Sequence, residues 1–184
     1  FSIAQDGTAW WLPAYEWNRA EYLYDRTPIS SVSLAQTPMT MKLADGTHIA
    51  LHEASLVDYS GMWARRVEGT RFRVSLVPGA GAAKVTRDAP FVTPWRTMIV
   101  AKDAPGLYMS HIELNLNEPN KLGDVSYFKP GKYVGVWWEM HVDKSAWGSK
   151  PVHGANTANV KRYIDFAAKY GFPGVLVEGW NRSE

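Results

Sequence analysis

Apolar and polar positions alternate in twos over the front two thirds of the chain and in threes and fours near its end. In LADGTHIALHEA an Asp45-Gly46 pair separates two alternating segments, the pattern of a tight hairpin. RFRVSLVPG alternates through Phe72, Val74 and Leu76 and stops at Pro78-Gly79. TPWRTMIVAKD and LYMSHIELNLNEP continue in the same way, bounded by proline, glycine or asparagine, and are read as further strands. EWNRAEYLYDRTP fits either period. Strands without helices between them predict an antiparallel sandwich.

After YFKPGK the pattern changes. YVGVWW is a short apolar run with the content of a buried strand. NTANVKRYIDFAAKYG places Val160, Tyr163, Ile164, Ala167 and Ala168 on one helical face; Asn156 or Thr157 suits the first cap and Gly171 a left-handed stop. GVLVEGW is a second apolar strand, so the segment is one strand, crossover helix, strand unit. Strands joined by such a helix run parallel, which brings Trp138 and Glu139 to the same edge as Glu178, Trp180 and Asn181. Ligands of α/β sheets and barrels bind at that edge. The intervening loop, EMHVDKSAWGSKPVHGA, is longer than strand-to-helix connections usually are. Two parallel strands cannot stand alone, so the chain reads as a fragment of something larger.

Composition narrows the function. The 184 residues carry 20 basic and 18 acidic side chains, a net charge of +2, with no run of like charge to suggest nucleic acid or a membrane surface as partner. There is no cysteine, which excludes disulfides and thiolate metal sites. No stretch has the roughly 18 unbroken apolar residues of a membrane span. The sequence opens on FSIAQDGTAWW, without an initiator methionine or a signal-peptide core, and is read as processed or truncated. Nine tryptophans and nine tyrosines are a surplus. Tryptophans fill cores, and they also form the flat platforms on which sugar rings lie.

The run KPGKYVGVWWEMHVDKSAWGS, followed by HGANTANVKRYIDFAAKYGFPGVLVEGWN, resembles the first two barrel strands of glycoside hydrolase family 97, calcium-dependent α-glucosidases and α-galactosidases. DGTAWWLPAYE, IALHEASLVDYSGM and LNLNEPNKLGDVSYFKPGKY resemble the family's amino-terminal sandwich and its connection to the barrel. The resemblance implies an α+β multidomain fragment: residues 1–128 as part of the antiparallel β-sandwich, and 129–184 as the first β-α-β unit of a catalytic (β/α)8 TIM barrel. The activity implied is exo-acting hydrolysis of terminal α-linked glucose or galactose from oligosaccharides. The general acid and the base or nucleophile are expected downstream, so no catalytic residue is assigned here and the fragment alone is expected to be inactive. Exported family members imply a periplasmic or extracellular location.

Each candidate residue has a plainer reading beside the functional one. Glu53 is a strand-end carboxylate by composition; the resemblance makes it a ligand of calcium (Ca2+), reaching from the sandwich to the barrel mouth, with further carboxylates needed to complete six to eight oxygens. Glu139 and Glu178 have the right type for glycoside hydrolysis, but the resemblance makes them hydrogen-bonding or site-shaping groups, against a purely structural role for either. Trp180 and Asn181 are read as sugar platform and hydroxyl partner, against packing under a loop. Trp137 and Trp138 alternate along the strand, with Trp138 the wall of the site. His141 stays unassigned, and His153 holds the loop or the helix start. Trp10, Trp11 and Trp95 are read as core or domain-interface residues. The rival from another class is a non-catalytic carbohydrate-binding sandwich, disfavoured by the crossover helix.

Overall fold

The computed structural model describes residues 1–14, 22–148 and 151–178, and the chain forms two compact units, Phe1–Asn120 and Lys121–Glu184. In the first, β1 (Gly7–Trp11), β2 (Asp25–Pro28), β4 (Met39–Leu43), β5 (His48–Ala54) and β8 (Trp95–Ala101) form a five-stranded sheet in the order β2-β1-β4-β5-β8. A second sheet has three strands, β3 (Leu34–Gln36), β6 (Met62–Glu68) and β7 (Arg71–Leu76), in the order β3-β6-β7. Every pairing in these two sheets is antiparallel.

Alternation drives the assembly. Ala9 and Trp11 of β1, Met39, Met41 and Leu43 of β4, and Ile49 and Leu51 of β5 form one buried cluster with Ala35, Met62, Ala64 and Phe72 from the second sheet. Period-two side chains thus give each sheet an apolar face, and the two faces bury each other as a β-sandwich. Trp11 belongs to this core, and its indole Nε1 donates to Thr27 Oγ1 at 3.0 Å. The Asp45-Gly46 hairpin forms between β4 and β5: Gly46 takes φ +90°, and Asp45 Oδ1 accepts from the Thr47 amide at 2.9 Å. A side chain at Gly46 would force a non-glycine residue into the left-handed region.

Away from the hairpin, Asp6 ties the approach to β1 to the short 3-10 turn at Ile29–Ser31, accepting from Ser30 Oγ at 2.5 Å and from the Gly7 amide at 2.8 Å. The Ser30 hydroxyl is the main reason its carboxyl lies below the usual range. A depressed folded-state value stabilises above the unfolded value of 3.8 and loses that contribution as pH falls. Asp6→Asn is therefore expected to cost up to about 1 kcal/mol at neutral pH. In thermal melts against pH, the gap from wild type should close in acid.

LYMSHIELNLNEP departs from the strand expectation. It takes in the last two residues of one short helix, α1 (Ala104–Tyr108), and all of a second, α2 (Ile112–Asn115). Asp103 Oδ1 accepts from the Gly106 amide at 2.8 Å and Pro105 stands in the first turn, so a capped start overrides the alternation. Both helices pack against β5 and β8, and Thr97 Oγ1 donates to Glu113 Oε1 of α2 at 2.8 Å.

The second unit holds β9 (Val134–Gly135), α3 (Trp138–His141), α4 (Thr157–Tyr170) and β10 (Val175–Leu176). The β9 and β10 strands pair in parallel, Val175 opposite Val134 and Leu176 opposite Gly135, with α4 as the crossover. Asn156 is the cap, its Oδ1 accepting from the Asn159 amide at 3.0 Å, and Gly171 ends α4 at φ +72°. Val160 and Ala167 are buried and Tyr163 half-buried, whereas Ile164 and Ala168, expected on the same face, are exposed. Val136, Met140, Ala155 and Val160 form the unit's own small core, with Tyr163, Val175 and Val177 packed against it.

The apolar run YVGVWW is not strand throughout. Only Val134 and Gly135 pair, and Trp137 already has helical angles (φ −60°, ψ −22°), so Trp137 and Trp138 do not alternate across a sheet. Trp137 instead stacks edge-on against Trp138 and His141, at centroid distances of 5.4 and 4.9 Å. Three aromatic rings brought together in this way favour a turn over an extended path.

Candidate functional site

Two places concentrate chemistry, one in each unit. In the sandwich the focus is Glu53, at the end of β5, with 4% of its side chain exposed. Oε2 accepts from Thr37 Oγ1 and from the Met62 amide, both at 3.0 Å, and Oε1 forms an ion pair with Arg96 Nη1. Arg96 stands directly opposite Glu53 in the β5–β8 ladder, 28% of its side chain exposed, and Nη2 also donates to the Ser60 carbonyl at 3.3 Å. Burial holds the guanidinium below its ordinary value. Because Met62 belongs to the second sheet and Thr37 to the β3–β4 turn, Glu53 joins the two sheets at one end of the sandwich.

Within this chain Glu53 alone does not make a calcium site. Calcium takes six to eight oxygen ligands, commonly carboxylates open to it. Both Glu53 oxygens receive protein donors, one of them a guanidinium. Among the described residues no group of three or more His, Asp or Glu side chains is gathered as a metal site. In this chain the carboxylate is a counter-ion that satisfies a backbone amide, a hydroxyl and an arginine. Arg96 and Thr37 were the residues the sequence reading missed. The signal for Arg96 was a cation inside the alternating run WRTMIVA, but its partner depends on strand register.

In the second unit, Trp138 and Glu178 follow the carboxyl ends of β9 and β10, which the parallel pairing puts on one edge. Trp138 is 60% exposed and Glu178 is exposed. An open indole face there can stack on a flat apolar ring, and a nearby carboxylate can accept from hydroxyls. Trp180 and Asn181 lie outside the described residues.

Glu139 turns inward, in the first turn of α3. Its Oε1 accepts from Asn159 Nδ2, and its charge acts on Tyr163 of the same helix. Tyr163 is pushed up first by burial and then by the charge of Glu139, which keeps its hydroxyl protonated as a donor. The loop after α3 folds back: the Glu139 carbonyl accepts from the Lys144 amide at 2.9 Å, and an isolated parallel bridge joins Ala146 to His153. His153 accepts from Asn156 Nδ2 at 2.7 Å through its carbonyl, so it does hold the helix start. His141 packs on Trp137.

A β-sandwich followed in the chain by a parallel strand-helix-strand unit, with an exposed tryptophan just after its first strand, defines a modular protein of two unlike units. The family model described as Glycosyl-hydrolase 97 N-terminal matches residues 1–119, and that described as Glycoside hydrolase 97 matches residues 137–183. The chain belongs to glycoside hydrolase family 97.

A family 97 enzyme from Pseudoalteromonas sp. strain K8, solved in complex with acarbose, matches at 53% identity and TM-score 0.85 over 95% of this chain and 26% of its own. A variant from the same strain in complex with panose matches at 51% and 0.84, over 96% of this chain and 27% of its own. A retaining α-galactosidase of Bacteroides thetaiotaomicron is 28% identical over 89% of this chain and 28% of its own length. A probable retaining α-galactosidase of Streptomyces bingchenggensis is 29% identical over 98% of this chain and 26% of its own. The chain therefore spans little more than a quarter of the length of these relatives.

Proposed function

We propose that this chain is the front portion of an exo-acting α-glycosidase that removes terminal α-linked glucose from oligosaccharides. On this reading residues 1–128 are part of the amino-terminal sandwich with its connection, and a catalytic (β/α)8 barrel begins at residue 129. The observation that carries it is the parallel pairing of β9 with β10 across α4, which sets Trp138 and Glu178 on one rim. Glucose is favoured over galactose because a relative of 51% identity holds panose, a trisaccharide of α-linked glucose. Trp138 and Trp180 serve as sugar platforms, with Glu178 and Asn181 as hydroxyl partners. The acid and the base or nucleophile lie on later barrel strands. A calcium requirement is part of the proposal, with Glu53 as one ligand and further carboxylates from later barrel strands completing the shell. An exported, periplasmic or extracellular enzyme is the matching location, by family analogy.

The test is hydrolysis of nitrophenyl α-glucoside and α-galactoside by the complete gene product, with and without a chelator. Turnover of the glucoside, lost on chelation, is expected, and the 184-residue chain alone should be inert. Absence of α-glycoside hydrolysis by the complete protein overturns the reading. Removing the exposed platform with Trp138→Ala should raise KM roughly tenfold with a smaller change in kcat, since stacking contributes to binding throughout the reaction. Steady-state kinetics on malto-oligosaccharides check it.

A further inference from the structure

We infer that Glu139 is a positioning residue for the Trp138 indole, an inference that rests on the glycosidase reading for its functional meaning. Trp138 is largely exposed, and a platform held only by its own backbone would have to be ordered at each binding event, at a cost in affinity. The neighbouring Glu139 removes that freedom. Its side chain accepts from Asn159, on the face of α4 that also carries Tyr163. Asn159 is buried, and the same Nδ2 also donates to the Gly154 carbonyl at 3.0 Å. The Glu139 carbonyl meanwhile accepts from the amides of Lys144 and Ser145, at 2.9 and 3.3 Å. One residue therefore fastens the turn that carries Trp138 both to the crossover helix and to the loop that folds back over it.

Gly154 shows how closely these parts are fitted. A Cβ at this position would lie 2.8 Å from Glu139 Oε1 and 2.7 Å from the Ser145 Cβ, so a larger residue would press directly on the carboxylate. Glu139 is also not placed as an acid or base for substrate. Its Oε1 is turned into the protein and engaged by Asn159, whereas the exposed side chain of the pair is Trp138. Its contribution is to hold a preformed wall, and its loss acts on binding.

Two measurements test this. In the 184-residue chain, the edge-on Trp137–Trp138 pair gives an exciton signal in circular dichroism, identified by its loss in Trp138→Phe. Glu139→Ala should abolish that signal, Gly154→Ala should weaken it without changing any charge, and Glu139→Gln, which keeps an acceptor for Asn159, should retain it. An intact signal in Glu139→Ala overturns the inference. In the complete enzyme, Glu139→Ala should raise KM for a malto-oligosaccharide about tenfold while kcat changes less than threefold, with Glu139→Gln close to wild type. A fall in kcat at constant KM also overturns it, because the residue would then act on the chemistry. Should the complete wild-type enzyme cleave no α-glycoside while Glu139→Ala still loses the exciton signal, the glycosidase reading falls and the positioning of the indole stands.

Discussion

Arg96→Met is expected to lower the stability of the 184-residue chain by about 3 kcal/mol, because it strands a carboxylate of which only 4% is exposed. At this chain length that corresponds to a fall in melting temperature of roughly 6 to 12 °C. Glu53→Ala should cost a similar amount by a different route, leaving the Met62 amide and the Thr37 hydroxyl without their acceptor inside the sandwich. Arg96, partly exposed, can then turn to water, so the arginine itself adds little to that cost. Calcium provides the second half of the test. In the complete protein the concentration of calcium needed to restore activity after chelation should be at least about tenfold higher for Glu53→Gln than for wild type. An unchanged requirement would take Glu53 out of the metal's shell. Melting in the presence and absence of a chelator gives the complementary reading, and the loss caused by Arg96→Met should not depend on the ion.

Gly7→Ala should be at least as damaging. Gly7 opens β1 opposite Leu43 of β4, and a Cβ there would run into the Lys42 carbonyl oxygen and stand 2.9 Å from the Leu43 Cα. These are backbone atoms of the paired strand, so no rotamer change relieves the clash and the ladder itself must open. A loss of about 3 kcal/mol or more follows, the upper end of what overpacking costs. Denaturant unfolding followed by tryptophan fluorescence, in which Trp11 reports the sandwich core, would measure it. A variant within 1 kcal/mol of wild type would show that β1 and β4 do not approach as closely as described.

Features governed by a single local requirement could be read directly from the sequence. The Asp45-Gly46 turn needs a positive φ and has its glycine there. The crossover helix begins and ends where Asn156 and Gly171 put it. The parallel order of β9 and β10 follows from the helix between them. What was not legible depends on partners distant in sequence. LYMSHIELNLNEP alternates well enough for a strand, yet the Asp103 cap starts a helix and the β5–β8 face gives both helices a surface to cover. YVGVWW has strand content throughout, but Trp137 leaves the sheet to stack on its neighbours.

The same division runs through the candidate site. Connectivity alone put Trp138 just past the carboxyl end of the first strand, and it follows β9 there, on the turn of α3 instead of on the strand. The inward role of Glu139 needed the fold, because Asn159 lies one helix away and no spacing rule links the two. Glu53 could be seen as a carboxylate at a strand end. That its charge is answered by Arg96 depends on a register no local pattern encodes.

That register has a bearing on how the sandwich comes together. The strands β5 and β8 align over seven consecutive pairs, and Glu53 meets Arg96 only in this one alignment. Sliding β8 by a single residue would turn Arg96 to the opposite face and leave the glutamate buried against no cation, a penalty of several kcal/mol. The ion pair thereby discriminates against mispaired edges during folding, and it does so at the outermost strand of the five, where pairing errors are otherwise least restrained.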